Sequence, residues 1–146
     1  ITVSTGIGGV RIVHKKIDVN RFGFEPGHQI IDFVNAQTLE DYISGASIEA
    51  KYHQKPGEIH NDRMWEEAAR ILATGLLNSI VHWSPHIVVL GGPMVLKSPG
   101  IDIEQVRKHL DILLSIFPER PTLTAASLGD VGGLYGALAL LKQLSS

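Results

Sequence analysis

The segment His86-Ile87-Val88-Val89-Leu90-Gly91-Gly92 is an apolar run closed by a glycine pair, set between two stretches of helical periodicity. A run this short, rich in β-branched residues, reads as a strand buried on both faces, as in a parallel sheet covered by helices. Upstream, Trp65, Ala68, Ala69, Leu72, Leu76, Ile80 and Trp83 recur at helical steps. They predict a helix that is capped by Asn61 or Asp62 and ended by Ser84-Pro85. Downstream, Asp102 opens a second helix, and Gln105 completes a capping box with it. Its stripe is Ile103, Val106, Leu110, Leu113 and Phe117, with Pro118 at the stop. Thr122-Leu123-Thr124-Ala125-Ala126 is a further strand. A last helix, from about Gly132 to Leu144, presents Leu134, Leu138, Leu141 and Leu144. Gly132, Gly133, Gly136, Ala137 and Ala139 keep its first half slim, so another element or a ligand can approach it closely. Strands alternating with helices run parallel, because parallel neighbours need a long crossover.

The front of the chain has a different character. Ile1-Thr2-Val3 and Val10-Arg11-Ile12-Val13-His14 read as strands flanking Ser4-Thr5-Gly6-Ile7-Gly8-Gly9. Lys15-Lys16 is a polar turn, Ile17-Asp18-Val19 extends the meander, and Gln29-Ile30-Ile31-Asp32-Phe33 is a third strand. Between them, Asn20 to His28 is a loop dense in turn formers. Thr38, with Asp41 three residues later, caps a short helix over Leu39, Tyr42 and Ile43. Ser44-Gly45 interrupts it before a second helix from Ala46 to Tyr52, and Gln54-Lys55-Pro56-Gly57 is a turn. The order is β-β-β-α-β-α-β-α: a three-stranded antiparallel meander leading into parallel βαβα units, an α/β fold with helices on both faces.

Length and composition bound the function. At 146 residues the chain has the size of one domain with a real core. It has no cysteine, hence no disulfide framework and no thiolate metal site. A net charge of −2, without a basic stripe or helix-turn-helix pattern, points away from nucleic acid. No apolar run reaches the ~18 residues of a membrane span, and no signal-peptide pattern precedes the first strand. A soluble, cytoplasmic protein without membrane association is expected. Because Ile1 already lies inside an apolar strand, whereas domains usually begin with a surface segment, an upstream segment is expected too.

The opening glycines admit two readings. Glycine allows positive φ and close approach to amide nitrogens, and successive amides in such a turn suit a phosphate, with the Thr5 hydroxyl as an added donor. The same residues also suit a plain glycine-rich hairpin turn with no ligand. Glu25-Pro26-Gly27-His28 places a carboxylate and an imidazole in one loop, which suits hydroxyl groups: carboxylates accept strong charge-assisted bonds, and histidine serves as donor or acceptor.

Four stretches together resemble the C-terminal half of ROK proteins (repressor, open reading frame, kinase), which include bacterial glucokinases, N-acetylhexosamine kinases and sugar-responsive repressors. Ser4 to Gly9 is similar to the family's second phosphate-binding loop, and Glu25-Pro26-Gly27-His28 to its Glu-x-Gly-His sugar motif. Val88-Val89-Leu90-Gly91-Gly92 is similar to the glycine turn at its adenosine site, and Leu128-Gly129-Asp130-Val131-Gly132-Gly133-Leu134-Tyr135-Gly136-Ala137 to its closing segment. The resemblance implies an actin-like, ribonuclease-H-like ATPase fold, with residues 1–146 forming the C-terminal ATP- and sugar-binding domain and the N-terminal domain absent. It implies that Thr5, Gly6, Gly8 and Gly9 hold ATP phosphates and that Gly91 and Gly92 admit the adenosine. Glu25, His28 and Glu40 would hydrogen-bond a sugar. ATP with Mg²⁺ would serve as cofactor, and the sugar and the chain's own N-terminal domain as partners; a homodimer is left open. The catalytic Asp is expected in the missing half, so none is assigned here.

Departures from the family pattern sharpen this. Many members bind a structural zinc through the motif histidine and three cysteines. Here Phe33-Val34-Asn35-Ala36-Gln37-Thr38 occupies that segment without cysteine, so no zinc is expected on His28. Val10 stands where many members carry another glycine. His82 and His86 are poorly aligned for a metal because Pro85 breaks the helix between them. Trp65 and Trp83 read as core, and Asp130 as the cap of the last helix. Two functions remain: an ATP-dependent sugar kinase, or the sugar-sensing domain of a repressor.

Overall fold

The computed structural model describes residues 1–145. Its centre is a parallel pair, β7 (Ile87–Leu90) and β8 (Thr122–Ala125), registered from Ile87 opposite Thr122 to Leu90 opposite Ala125. β1 (Thr2–Val3) runs parallel along the other edge of β7. There Gly91 N donates to Ile1 O and Val3 N to Gly91 O, each at 2.9 Å. β2 (Ile7–Gly8) returns antiparallel, with Val3 opposite Ile7. The central order is therefore β2-β1-β7-β8.

Two long helices form the core face. α3 (Asp62–Trp83) begins at Asn61, whose Oδ1 accepts from Met64 N at 3.1 Å, and ends at Ser84 in the left-handed region. α5 (Ile103–Leu113) packs along it, burying Val106 and Leu110. Ala69, Leu72, Ala73 and Leu76 of α3 are fully enclosed with Val88, Leu90 and Leu123 of the sheet. Each such leucine or valine removed from water contributes about 1.5–3 kcal/mol. Asp102 caps α5 by accepting from Glu104 N at 2.9 Å, and the expected reciprocal box with Gln105 is not formed. A short helix, α4 (Pro93–Leu96), follows the glycine turn; Pro93, at its first position, marks its start.

The strand at β7 is buried on one face, not two. Val88 and Leu90 point into the core, whereas Ile87 is 57% and Val89 44% exposed. The reason is the path of α6 (Gly132–Leu144): its Leu134, Leu138, Leu141 and Leu144 remain in solvent and do not cover the sheet. The expected cover on both faces is therefore realised on one. α6 is fastened instead at its far end. Gln143 Oε1 accepts from Ile17 N, and Gln143 Nε2 donates to Ile17 O, both at 2.8 Å. At its near end Asp130 lies in a 3₁₀ turn, Gly129–Val131, where its carboxylate sits 3.7 Å from Lys97 Nζ and caps nothing.

The front strands also differ from a single meander. β3 (Ile12–Val13) pairs with β4 (Lys16–Ile17), and β5 (Ile30–Asp32) pairs with β6 (Gln37–Thr38). A lone antiparallel bridge, Gly9 to Phe24, links the glycine stretch to the following loop. The turn between β3 and β4 is His14-Lys15, both with positive φ (51° and 65°), rather than Lys15-Lys16. A two-residue turn of that hand matches strand twist and closes the ladder inside the hairpin. α1 (Leu39–Ile43) carries the expected box: Asp41 N donates to Thr38 Oγ1 at 3.2 Å, and Thr38 N to Asp41 Oδ2 at 2.8 Å. Extended Ser44 then separates it from α2 (Gly45–Tyr52).

Candidate functional site

β1 and β7 are parallel, so the loop after β1 and the glycine turn after β7 lie at the same edge of the sheet. Ligands of open α/β sheets bind at this carboxyl edge. The loop is tighter than the sequence suggests. Ser4 N donates to Gly6 O at 2.8 Å, and Ile7 already belongs to the return strand. Gly45 N and Ala46 N, at the start of α2, donate to Ser4 O (2.7 Å) and Thr5 O (3.2 Å). These helix amides thus hold the loop from below and do not face outward to an anion.

None of Gly6, Gly8 and Gly9 adopts positive φ; the left-handed glycines are Gly23, Gly92 and Gly129. What the loop needs is room. A Cβ on Gly6 would stand 2.8 Å from Glu40 Oε2, and one on Gly9 would stand 2.7 Å from Pro26 Cγ. At Gly8 a Cβ would meet nothing within 4 Å, so this is where the loop's backbone faces open space, beside the exposed Thr5. At the β7 end, a Cβ on Gly92 would fall on the Val3 carbonyl oxygen, and one on Gly91 would stand 3.2 Å from Ala126 Cβ. Packing against β1 and the segment after β8 accounts for this glycine pair without a ligand.

The sugar-motif residues gather at the same corner. Glu40 sits on the first turn of α1, and its Oε2 accepts from Ile7 N at 2.5 Å. The same oxygen lies 3.1 Å from where a Gly27 Cβ would stand, so Glu40 sits between the opening loop and the 3₁₀ turn Pro26–His28, and a side chain at Gly27 would crowd it. Glu25 precedes that turn and His28 ends it; their Oε2 and Nδ1 are 3.8 Å apart, and both side chains are exposed. Asp41, next to Glu40, has its carboxyl held below the usual range by its bonds from Thr38, with His28 a lesser contributor. Glu40, the Glu25–His28 pair and the Ser4–Gly6 loop are therefore brought together, while Gly91 and Gly92 reach them through β1.

Other expectations sort differently. Trp65 is buried, its indole Nε1 donating to Ile59 O at 2.8 Å. Trp83 is half-buried and meets Phe24 edge-to-face at 4.9 Å. With Glu25, Gln29, Asn78 and His82 this aromatic pair lines a shallow depression of about 470 Å³ that includes neither His28 nor Glu40. Among the described residues no cluster of histidine, aspartate and glutamate suited to a metal ion forms. Sequence reasoning also passed over Asp32 and Tyr42, which meet beneath this corner; the Asp-x-x-Asn spacing of Asp32 and Asn35 was the available signal.

Comparison with known proteins gives a consistent picture. Residues 1–144 match the ROK family. No match is found among curated proteins. The ROK hexokinase of Thermus thermophilus superposes with a TM-score of 0.82 at 28% identity, over 99% of this chain and 57% of the hexokinase. A ROK family glucokinase of Streptomyces griseus, solved with glucose and AMPPNP, gives a TM-score of 0.69 at 22% identity over 96% of this chain and 58% of its own. A ROK family transcriptional regulator, a homologue of the E. coli MLC protein, gives 0.56 at 16% identity over 85% of this chain and 40% of its own. The chain thus spans a little over half the length of the hexokinase and the glucokinase. Its fold is the mixed α/β fold of an actin-like ATPase. With its glycine loop, its Glu-Pro-Gly-His turn and its closing segment all inside the matched region, the chain belongs to the ROK family.

Proposed function

We propose that residues 1–146 are the C-terminal, ATP- and sugar-binding half of an ATP-dependent kinase that transfers the γ-phosphate to a hydroxyl of a hexose or N-acetylhexosamine. The observation that carries this is Glu40, whose carboxylate accepts from Ile7 N of the glycine loop while lying against Gly27 of the Pro26–His28 turn, at one corner of the sheet edge. A sugar there would donate hydroxyls to Glu25 and Glu40 and exchange hydrogen bonds with His28. Nucleotide phosphates would lie over the open side of the loop at Gly8, within reach of the Thr5 hydroxyl, since Ile7's amide is taken by Glu40. The amides of Gly6 and Gly9 complete that assignment, and the adenosine would pass beside Gly91 and Gly92. Mg²⁺ bound with the nucleotide would supply positive charge to the phosphates.

The base that deprotonates the sugar hydroxyl belongs, in this reading, to the N-terminal half. The apolar stripe of α6 and the open face at Ile87 and Val89 are surfaces for that half to cover. Phosphoryl transfer is mainly positioning and charge stabilisation, so this chain alone should bind weakly and turn over little. The cytoplasm, where ATP is supplied, is the compartment that fits. No structural zinc belongs to this reading, because the segment after Asp32 offers His28 no thiolate; metal analysis of the purified intact protein should find far less than one equivalent.

The test is a coupled assay of the intact protein on a panel of hexoses and N-acetylhexosamines. Turnover on at least one sugar, lost in Glu40→Ala, supports the kinase. The likeness of fold to a transcriptional regulator supplies the second reading. An intact protein inactive on every sugar, yet binding DNA in a sugar-dependent way, would establish the repressor instead.

A further inference from the structure

We propose that Asp32 is a positioning residue of the sugar site: it ties the strand that follows His28 to the helix that carries Glu40. This rests on the reading of Glu25, His28 and Glu40 as sugar ligands. The Asp32 carboxylate collects donors from both sides of a turn. Its Oδ1 accepts from Val34 N at 3.0 Å and Asn35 N at 3.2 Å. Its Oδ2 accepts from Asn35 Nδ2 at 2.7 Å and from Tyr42 OH at 2.8 Å. All are neutral donors to an ionised acceptor, the stronger kind of hydrogen bond.

The position of this carboxylate gives it its effect. α1 is a five-residue helix, far below the length at which a helix is stable by itself, so its orientation is set from outside. The Thr38–Asp41 box and the bond from Leu39 N to Gln29 O (3.0 Å) hold its beginning. Tyr42, two residues beyond Glu40, is held by Asp32. β5 begins just past His28, so Asp32 fixes both halves of the site on one frame. Phe33 and Val34 at the tip of this turn are 90% and 76% exposed, so the turn adds little to the core. Loosening it should therefore alter the site far more than global stability. The bonds from Asn35 and Tyr42 also keep the Asp32 carboxyl below its ordinary range, and the bond to Asp32 raises the Tyr42 phenol above its own.

The experiment is calorimetric titration of the intact protein with glucose, mannose and N-acetylglucosamine, and separately with AMPPNP. The variants are Asp32→Ala, Asp32→Asn, Tyr42→Phe and, as reference, Glu40→Gln. Asp32→Ala should weaken binding of the best sugar about tenfold, and Tyr42→Phe about threefold, as expected for losing several or one hydrogen bond to a charged group at second hand. AMPPNP affinity should stay within about twofold of the parent in both. Asp32→Asn should recover only part of the sugar affinity: its Oδ1 still accepts the Val34 and Asn35 amides and its Nδ2 can donate to the Tyr42 oxygen, but the bond from Asn35 Nδ2 is lost, donor against donor. Equal losses for sugar and AMPPNP would mean a general structural role and overturn the proposal. So would unchanged sugar binding in Asp32→Ala and Tyr42→Phe while Glu40→Gln is impaired; the site reading then stands. If no sugar binds, or Glu40→Gln has no effect, the site reading fails and this proposal with it. Should Asp32→Ala not fold, Tyr42→Phe, which deletes one oxygen, decides by the same comparison.

Discussion

The corner around Glu40 and the stretch from β8 through α6 are built on opposite principles. At the corner the backbone approaches are tight except at Gly8: Gly6 is closed by Glu40, Gly9 by Pro26, and Gly45 by the Ser4 carbonyl oxygen. Several of its polar groups pair within the chain, from Ile7 N on Glu40 to Ser47 Oγ on Glu40 O. Across the sheet, apolar side chains face outward: Ile87 and Val89 on the strand, and Leu134, Tyr135, Leu138 and Leu141 on the helix. An exposed apolar face of this extent marks an interaction surface. The contrast separates a corner packed largely by its own chain from an apolar surface that this chain leaves open.

The comparison can be broken most sharply at the glycines. Gly92→Ala should destabilise the fold by about 3 kcal/mol, through a strained positive φ and a clash with the Val3 carbonyl. Gly8→Ala, where space is open, should stay within about 0.5 kcal/mol in denaturant unfolding yet weaken AMPPNP binding. Equal effects of the two would dissolve the distinction between a packed and an open glycine. Next, Glu40→Ala in the intact protein should weaken sugar binding by roughly 1.5–3 kcal/mol, measured by calorimetric titration. A smaller effect is expected on the open side. Leu138→Ser should change the stability of this chain alone by less than about 0.5 kcal/mol but that of the intact protein by about 1–2 kcal/mol. If the isolated chain suffers equally, α6 folds back over its own sheet in solution.

The smallest effect is electrostatic. Asp32 and Asp41 both have folded carboxyls held below the usual carboxylate range, by side-chain bonds from Asn35 and Tyr42 in one case and by bonds from Thr38 in the other. A lowered folded pKa stabilises above the unfolded value and is lost as pH falls through the folded one. The β5–β6 turn should therefore hold at pH 5 and loosen progressively below about pH 4. Amide shifts of Val34 and Asn35, followed from pH 6 to about pH 2.5, would show a single low-pH transition, and a midpoint near or above 4 would contradict it.

What could be read in advance was local. The Thr38–Asp41 box, the break at Ser44-Gly45 and both ends of α3 depend on neighbours within one or two turns, so spacing reveals them. Whether β7 is covered on one face or two depends on where α6 travels, and no local pattern at Ile87 to Leu90 carries that. The His14-Lys15 turn lacks the glycine or asparagine that signals a left-handed pair. The bond from Ile7 N to Glu40 spans 33 residues; Glu40 entered the candidate site through family resemblance, not through periodicity. The glycines of the opening loop were expected to allow positive φ and close approach of a ligand; none takes positive φ, Gly6 and Gly9 serve clearance, and Gly8 alone has open space beside it.

The Gln143 amide on the backbone of Ile17 joins positions 126 residues apart. Closing a loop of that length costs roughly 4 kcal/mol in chain entropy, more than two hydrogen bonds return by themselves. The clasp is therefore expected to form after the β7–β8 sheet and α3 have shortened the path between its ends. It should be among the last contacts made and the first released, with α6 exchanging its amide hydrogens through partial opening while α3 waits for global unfolding. A fastening so placed should let the final helix open without disturbing the corner around Glu40.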